Sequence, residues 1–471
     1  MPHCGSKVVI NQLSNLHRYN STSWKSIPEH RKYSTRSPSL ALQIKQKIIA
    51  TGPITVSEYT KLALTTPVDG YYNKKFVFGS QGDFITSPEI SQMFGEVTSL
   101  WYVLQWEEKG CPENVEIIEL GPGKGTFMSD MLRRFPRFAK SIKCIHLVET
   151  SAELRRAQSE KLLCKSIEYN DENLGKHKSL NSSVSKYNDT LVKWYNDIDS
   201  VEFLESSCVF AMAHEFFDAL PIHKFELGQN GWSEILVDVD FSELGSKINT
   251  LPDKNDYTIL STQNSQISTH SNKSHKLSDN DSEKEIKFKF IKTKKPTINS
   301  AAFLTKKRYS ELFNIGDSIE ISPESAIIAQ KLGKIVNETN GAALIVDYGQ
   351  NYTQSSTFRG ISKHKFLDPL TNPGEIDITA DVDFSYLIDN IKPFANTFGP
   401  VEQGFFLHEM GIQDRLMQLL KLTSTVKDQE NLVSMYKRLT DPNSMGRIYK
   451  FLAVVPKTVD IAPVAMDPKK N

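Results

Sequence analysis

The sequence predicts an α/β protein built on a Rossmann-like sheet, with a helical extension before the sheet and inserted elements within it. The first observation is a strand, a turn and a helix in succession. The apolar run Val115–Leu120 leads into the glycine-rich turn Gly121–Gly125, and apolar residues then recur at helical spacing. The second observation is a set of further apolar runs, Cys144–Glu149, Val209–Ala213 and Gly341–Gly349, with room for helices between them. Such alternation is typical of sheets that bind ligands beyond the carboxyl ends of their strands.

The overall composition excludes several classes of protein. The chain has 471 residues, with 56 Lys and Arg against 56 Asp and Glu, and a mean hydropathy of −0.38. A net charge of +0 gives no electrostatic reason to expect a nucleic-acid partner. No apolar run approaches the roughly 18 residues of a membrane-spanning helix, and the five cysteines are scattered without a CxxC pair. We therefore expect a soluble protein with free thiols and no metal site.

Residues 1–38 differ in composition from the rest of the chain. They are rich in basic and hydroxyl side chains, and Glu29 is their only acidic residue. This composition is typical of a mitochondrial transit peptide, with cleavage expected near Arg31–Ser34. The alternative is a disordered basic tail. A secretory signal does not fit, because this stretch has no apolar segment of about 7–15 residues.

Residues 39–105 form a predicted helical region. Apolar residues recur at three- and four-residue spacing from about 39 to 65, with a break at a Gly-Pro pair. A loop rich in glycine, hydroxyls and carboxylates follows over residues 79–91, and Thr86 or Ser87 can cap a helix that begins at Pro88. This loop, which includes Glu89, either covers a bound ligand or is a plain capped turn.

Residues 106–456 contain the predicted sheet and the helices that cover it. Leu191–Tyr195 is the expected third strand, polar insertions are expected near 165–190 and 251–296, and residues 457–471 form a tail. Two late apolar runs, Gly404–Leu407 and Ile448–Val455, complete a predicted sheet of seven strands.

The spacing of the glycines indicates which nucleotide-like ligand the turn binds. A Walker P-loop requires GxxxxGK[ST], and a dinucleotide site requires GxGxxG. Here Gly121, Gly123 and Gly125 give GxGxG, so the P-loop is excluded and a dinucleotide is disfavoured.

Two acidic residues favour a different ligand for this turn. Glu119 lies just before the turn, and Glu149 ends the second strand at the spacing of an acid that binds ribose hydroxyls. The pattern suits S-adenosylmethionine, which presents a ribose and an amino-acid tail and has no pyrophosphate. The alternative for Glu149 is a solvated acid at a strand end.

A second group of reactive side chains follows the strand Val209–Ala213. His214, Glu215 and Asp218 come directly after it, together with two phenylalanines. A carboxylate among aromatic groups is a candidate general base, because desolvation raises its pKa towards the useful range. The alternatives are that the aromatic residues belong to the core and that Asp218 caps the next element.

Four segments in the same order resemble the MidA-like protein arginine methyltransferases, which are mitochondrial assembly factors for respiratory complex I. The resemblance covers roughly residues 40–456 and rests on the segments Gly82–Ile90, Glu119–Thr126, His214–Pro221 and Ile376–Phe384. It implies a class I methyltransferase fold with a seven-stranded sheet, and symmetric dimethylation of an arginine on a core complex I subunit in the matrix. It is also compatible with a homodimer. The polar insertions depart from the family pattern.

The resemblance also implies roles for the candidate residues. The glycines of the turn, Glu119 and Glu149 would bind S-adenosyl-L-methionine, while Thr86, Ser87 and Glu89 would close over it. Glu215 and Asp218 would orient the arginine as catalytic residues, because paired carboxylates match a planar guanidinium. Further candidates for that role are Asp347, Asp381 and Asp383.

Two other functions remain open at the level of sequence. The first is an assembly chaperone that keeps the methyltransferase fold without catalysis, although the intact glycine turn and the intact Glu215–Asp218 segment argue against it. The second is a methyltransferase that acts on a small molecule.

Overall fold

The computed structural model describes residues 38–73, 86–165, 168–169, 181–242, 257–260, 286–304, 307–309 and 313–468. The predicted transit peptide and most of the predicted covering loop therefore lie outside the described residues. The helices are α1 (Leu40–Thr51), α2 (Val56–Thr65), α3 (Ser87–Ile90), α4 (Gln92–Glu108), α5 (Thr126–Arg134), α6 (Pro136–Ser141), α7 (Ala152–Lys161), α8 (Ile298–Phe303), α9 (Pro323–Glu338), α10 (Phe384–Ile391), α11 (Gln403–Glu409), α12 (Ile412–Leu422), α13 (Val426–Thr440) and α14 (Met445–Ile448).

The strands form three sheets. They are β1 (Ile54–Thr55), β2 (Val115–Leu120), β3 (Ile142–Val148), β4 (Glu168–Tyr169), β5 (Asn181–Val184), β6 (Leu191–Tyr195), β7 (Cys208–His214), β8 (His223–Gly228), β9 (Gly231–Val239), β10 (Tyr257–Ile259), β11 (Phe288–Thr293), β12 (Ser318–Ile321), β13 (Ala342–Gln350), β14 (Arg359–Ser362), β15 (Lys365–Leu367), β16 (Asp377–Thr379), β17 (Val382–Asp383), β18 (Asn396–Glu402) and β19 (Tyr449–Val455).

The large sheet has a core of seven strands in the order β18-β19-β13-β7-β2-β3-β6. Its five strands from β13 to β6 are parallel, whereas β19 is antiparallel to both of its neighbours. Parallel strands bring their carboxyl ends to one edge of the sheet. The segments that follow β2, β3, β6 and β7 therefore meet there, and the predicted Rossmann-like sheet is confirmed.

Helices cover both faces of this sheet. Neighbouring residues of one strand belong to opposite cores: Ile117 packs with α4, α5 and α11, whereas Ile118 packs with α9 and α10. All six residues of β2 are buried, as expected for a central parallel strand that has helices on both sides. This rigid frame fixes where the glycine turn begins.

A second, antiparallel sheet lies beside the first and has the order β10-β11-β9-β8-β12, with β1 paired to β9. It shares a core with α1 and α2, which form the predicted N-terminal helical region. β11 pairs with both β9 and β10 within this sheet, although it falls in the predicted polar insertion 251–296. In the other predicted insertion, β5 and β4 extend the edge of the large sheet.

Two predictions about local structure were wrong. Phe405–Leu407 belongs to helix α11, and the strand before β19 is Asn396–Glu402. A short apolar run does not distinguish helix from strand by its periodicity. In the fold, Phe406 stacks on Phe451 with ring centroids 4.0 Å apart, which fixes this run as one side of a helix.

The helix predicted from Pro88 is divided in two. α3 ends at Ile90, and Ser91 then caps α4 by accepting a hydrogen bond from the Met93 N–H at 3.2 Å. Neither Thr86 nor Ser87 makes a capping hydrogen bond at the start of α3. Helix α4 runs continuously through position 105, where the predicted helical region ends.

Within the described ranges, every helix is too short or too polar to cross a membrane.

Candidate active site

The glycine turn connects β2 to α5 with three residues in the left-handed region of backbone conformation. The φ angles are +61° at Gly121, +52° at Gly123 and +77° at Gly125. Side chains other than hydrogen are disfavoured in this region, so the backbone itself requires glycine. A Cβ atom on Gly121 would lie 3.0 Å from the Phe216 ring, whereas one on Gly123 would meet no atom of the described residues within 4 Å.

A cavity of about 460 Å³ opens where the strands β2, β3, β6 and β7 end. It brings together most of the residues that the sequence analysis selected from four distant segments. The predicted site residues that line it are Thr86, Glu89, Glu119, Gly121, Gly123, Glu149, Glu215 and Asp218. Gly125 lies behind the wall at the start of α5, and Ser87 is fully buried with its hydroxyl 3.4 Å from the Gln403 amide oxygen.

Glu149 occupies the position beyond β3 that the sequence predicted. Its carboxylate accepts hydrogen bonds from the Ser151 N–H at 2.8 Å and from the Gln158 amide at 3.2 Å. The same Gln158 amide group donates to the Gly123 carbonyl at 2.7 Å, and the Trp194 indole N–H donates to the Gln158 amide oxygen at 2.9 Å. Burial raises the pKa of Glu149 to about 7. The acid and the glycine turn are thus held in one rigid network.

Glu119 on β2 and His214 at the end of the adjacent strand β7 both line the cavity. Glu119 Oε2 and His214 Nε2 are buried atoms without a hydrogen-bond partner among the described residues. Burial raises the pKa of Glu119 to about 8 and lowers the pKa of His214 to about 3. The imidazole is therefore neutral at physiological pH, and Glu119 is poised to ionise when a cation binds beside it.

The segment before α4 contributes a wall of the same cavity. Glu89 Oε1 lies 3.4 Å from the Lys124 ammonium group, so this ion pair joins α3 to the glycine turn. Glu89 Oε2 is buried without a partner among the described residues. Thr86 also lines the cavity, although its side chain caps no helix.

Glu215 and Asp218 lie at the end of the cavity that β7 supplies. Glu215 has a φ of +47°, which turns the chain out of the strand immediately after His214. Glu215 Oε1 and Asp218 Oδ1 are both buried without a partner in the described part of the chain. Burial, reinforced by the neighbouring Asp218 carboxyl group, raises the pKa of Glu215 to about 8. Burial also raises the pKa of Asp218.

Asp347 does not line this cavity but holds the loop that does. Its Oδ2 atom accepts hydrogen bonds from the backbone N–H groups of residues 216, 217 and 218 at 3.2, 3.0 and 3.3 Å. Burial, together with the Asp218 and Glu215 carboxyl groups, raises the pKa of Asp347 well above its usual range. Its observed contacts are with the backbone that presents Glu215 and Asp218, and not with the cavity.

The other two candidates, Asp381 and Asp383, also lie outside the cavity lining. Asp381 forms an ion pair with Arg359 at 2.7 Å, and Asp383 forms one with Arg308 at 3.0 Å while it caps α10. Their neighbour Asp377 does line the cavity, on β16.

Mitochondrial protein arginine methyltransferases are similar in sequence to most of this chain. The mitochondrial protein arginine methyltransferase NDUFAF7 of Xenopus laevis is 38% identical over 87% of this chain and 83% of its own length. The human protein of that name is 34% identical over 87% of this chain and 82% of its own length. A model of S-adenosyl-L-methionine-dependent methyltransferases matches residues 97–401.

The chain belongs to the mitochondrial protein arginine methyltransferase family. A crystal structure of a Burkholderia thailandensis protein bound to S-adenosyl-homocysteine supports the fold. It has a TM-score of 0.65 at 21% identity, and the match covers 91% of this chain and 94% of the bacterial one. The predicted class I methyltransferase fold is confirmed.

S-adenosyl-L-methionine is the methyl donor of this family, and the cavity fits it. The space next to Gly123 is open in the direction that a Cβ would occupy. The ligand carries positive charge on its sulfur and on its amino group. The same cavity is lined by buried carboxyl groups that each have an oxygen without a hydrogen-bond partner among the described residues. Gly121, Gly123, Glu119 and Glu149 are the residues that would hold it.

Four important residues were missed by sequence reasoning. The Tyr72 hydroxyl donates to Asp377 Oδ1 at 3.0 Å, and both residues line the cavity. The Tyr348 hydroxyl donates to Asp218, and the Tyr449 hydroxyl lowers the pKa of Glu215. The sequence did contain a signal for Asp377, because this residue lies in the segment Ile376–Phe384 that carried the resemblance. The tyrosines have no local pattern that marks them.

Proposed function

We propose that this protein dimethylates an arginine symmetrically on a core subunit of respiratory complex I in the mitochondrial matrix, and so supports assembly of the complex. Membership of the mitochondrial arginine methyltransferase family supports the reaction and the organelle. The resemblance to the MidA-like proteins supports the substrate. A homodimer is included in the proposal, and light scattering of the purified chain decides between one copy and two.

The observation that carries the proposal is the pair of unsatisfied carboxylates at one end of the cavity. Glu215 Oε1 and Asp218 Oδ1 are buried acceptors, without a partner among the described residues, that face the space beside the glycine turn. Burying a carboxylate is costly unless a partner compensates. A guanidinium offers several N–H donors in one plane and a full positive charge, so it matches two such acceptors at once.

The reaction requires one guanidinium nitrogen to attack a methyl group. When bound, S-adenosyl-L-methionine supplies that methyl group on a positively charged sulfur. Glu215 and Asp218 hold two of the guanidinium nitrogens, so that the third points along the cavity towards the glycine turn. Orientation of this kind accounts for a large share of the available rate enhancement.

The arginine must lose one proton when the new nitrogen–carbon bond forms, and we assign Glu215 as the acceptor. The Tyr348 and Thr379 hydroxyls and the charge of Arg359 favour the anionic form of Asp218. We therefore assign Asp218, whose pKa burial raises, as the group that anchors the guanidinium. Glu215, with its pKa near 8, suits proton transfer near neutral pH.

The remaining predicted residues have cofactor roles in this proposal. Glu149 binds the ribose hydroxyls with the lone pairs that Ser151 and Gln158 leave available, and Glu119 meets the positively charged tail. Gly125 shapes the turn from behind. The Glu89–Lys124 ion pair forms part of the cavity wall that lies over the cofactor. Thr86 and Ser87 hold the start of α3, which carries Glu89.

Incubation with radiolabelled S-adenosyl-L-methionine and mitochondrial matrix extract tests the proposal. We expect label on one protein band and symmetric dimethylarginine after acid hydrolysis. Glu215→Gln should lose the label while it keeps cofactor affinity. The control Glu153→Gln, whose side chain does not line the cavity, should retain both. Label in the lipid fraction would indicate a small-molecule methyltransferase, and a complete lack of label would indicate a non-catalytic chaperone.

A further inference from the structure

Two tyrosines from different parts of the chain stand next to each other at the carboxylate end of the cavity. Tyr348 on β13 is paired directly with Tyr449 on β19 in the antiparallel register of the large sheet. Their ring centroids are 5.6 Å apart, with the ring planes at 76°. Residues directly opposite each other on neighbouring strands point to the same face of a sheet. Both phenol groups therefore reach the same side of the sheet.

Each of these tyrosines acts on a different carboxyl group. The Tyr348 hydroxyl donates to Asp218 Oδ2, which also accepts from the Thr379 hydroxyl at 2.9 Å. The Tyr449 hydroxyl lies near the Glu215 side chain and lowers the pKa of that carboxyl group. In both carboxyl groups one oxygen, Asp218 Oδ1 or Glu215 Oε1, is left without a partner in the described part of the chain.

We propose that Tyr348 and Tyr449 are positioning residues, each of which fixes one oxygen of a substrate-binding carboxyl group and leaves the other to meet the guanidinium. The inference rests on the proposed function of Glu215 and Asp218. Without its phenol group each carboxyl group is less firmly held and freer to rotate about its last bond, although the Thr379 hydroxyl still donates to Asp218 Oδ2. Residues on the central strands of a sheet are well suited to this task, because their own conformations are locked by packing.

The surroundings of the two carboxyl groups make the hydroxyls electrostatically important. Glu215 faces the His214 ring at 3.7 Å, the carboxyl groups of Asp218, Asp347 and Asp377, and the Tyr449 hydroxyl. Among the described groups, the Tyr449 hydroxyl and a backbone N–H of Ser87 lower the pKa of Glu215, whereas the carboxyl groups of Asp218 and Asp377 raise it. Removal of the Tyr449 hydroxyl should therefore raise the pKa of Glu215.

The full-length variant Tyr449→Phe tests the inference without reference to activity. Infrared difference spectra over a pH series give the titration midpoint of Glu215, identified as the carboxyl band that Glu215→Gln removes. We expect the midpoint to rise by about one pH unit in Tyr449→Phe. Tyr59→Phe is the matched control, because it removes a buried hydroxyl that donates to the Pro369 carbonyl at 3.2 Å. Its midpoint should equal that of the wild type.

Kinetics with an arginine peptide then separate positioning from a purely electrostatic role. The rising limb of kcat/KM against pH should shift with the midpoint, and the cofactor Kd should not change. At a pH above both midpoints, kcat/KM should stay about tenfold below the wild-type value, because the free carboxylate is no longer held in one orientation. Tyr348→Phe should show the same tenfold loss.

Three results would contradict the inference or the proposed function on which it rests. An unchanged midpoint would show that Tyr449 does not hold Glu215. Full recovery of kcat/KM at high pH would show that the hydroxyl tunes charge and does not position the carboxylate. If the wild-type protein transferred no methyl group to arginine, the proposed function would fail, while the infrared midpoint would still decide the contact between Tyr449 and Glu215.

Discussion

The glycine turn offers the sharpest separation of cofactor binding from folding. We predict that Gly123→Val folds but binds S-adenosyl-L-methionine poorly. Position 123 has a φ of +52°, and within the described part of the chain no atom lies within 4 Å of the place that a Cβ would take. The cost to folding is therefore the left-handed backbone alone, about 1–2 kcal/mol. That cost is small against the roughly 5–15 kcal/mol by which native proteins are stable.

The cost to binding is larger because the new side chain extends into space that the cofactor needs. Inserting extra methyl groups into a filled site costs about 1–3 kcal/mol. At the upper end of that range the cofactor Kd rises on the order of a hundredfold. Isothermal titration calorimetry measures this change directly, and thermal unfolding measures the cost to folding.

A matched control removes the effect of backbone strain. Gly110 has a φ of +80°, and a Cβ added there would also meet no atom of the described residues within 4 Å. Gly110 does not line the cavity. Gly110→Val should lose similar stability and keep wild-type affinity. Equal cofactor affinity in Gly123→Val and the wild type would refute the placement of the cofactor against this turn.

Three further predictions concern the buried carboxylates. Glu149→Gln should weaken cofactor binding about 10- to 100-fold in calorimetry, because it removes charged hydrogen bonds worth about 1.5–3 kcal/mol. The control Glu153→Gln should leave cofactor binding unchanged. Asp347→Ala should lower the free energy of unfolding in urea by about 3–5 kcal/mol, because several backbone N–H groups lose their acceptor. The cofactor-free protein should lose stability as the pH rises from 4.5 to about 8, because the folded state holds the protons of Glu119 and Glu215 more tightly than the unfolded chain does. Glu119→Gln should flatten that slope by about 1.4 kcal/mol per pH unit, and an unchanged slope would contradict it.

The sequence was most informative where local pattern and backbone requirement coincide. Four of the six residues of Val115–Leu120 are apolar and all six are buried, because β2 is covered on both faces. Gly121–Gly125 follows because the turn needs positive φ angles. Neither property depends on distant residues, so both could be read from a short window. The same pattern failed at Phe405–Leu407, where packing against β19 fixed a helix that the run itself left ambiguous.

The candidate carboxylates show a different limit. Asp218, Asp347, Asp381 and Asp383 all follow or end apolar runs, and nothing local separates them. In the fold, Asp347 turns towards the backbone of residues 216–218, and Asp381 and Asp383 are neutralised by arginines. Asp218 keeps one buried oxygen without a partner in the described part of the chain. Which acid can meet a substrate therefore depends on what each one is paired with.

The sequence by itself indicated the first strands of the sheet, the glycine turn and the acid Glu149 that follows β3, because each is marked by a pattern within a short stretch of the chain. Only the tertiary structure decided how the carboxylate end of the site is built. Tyr449 reaches Glu215 because β19 inserts antiparallel beside β13, which brings together residues more than two hundred positions apart. Hydrogen-bond partnership and burial are properties of three-dimensional neighbours, and they set the charge and orientation of these side chains.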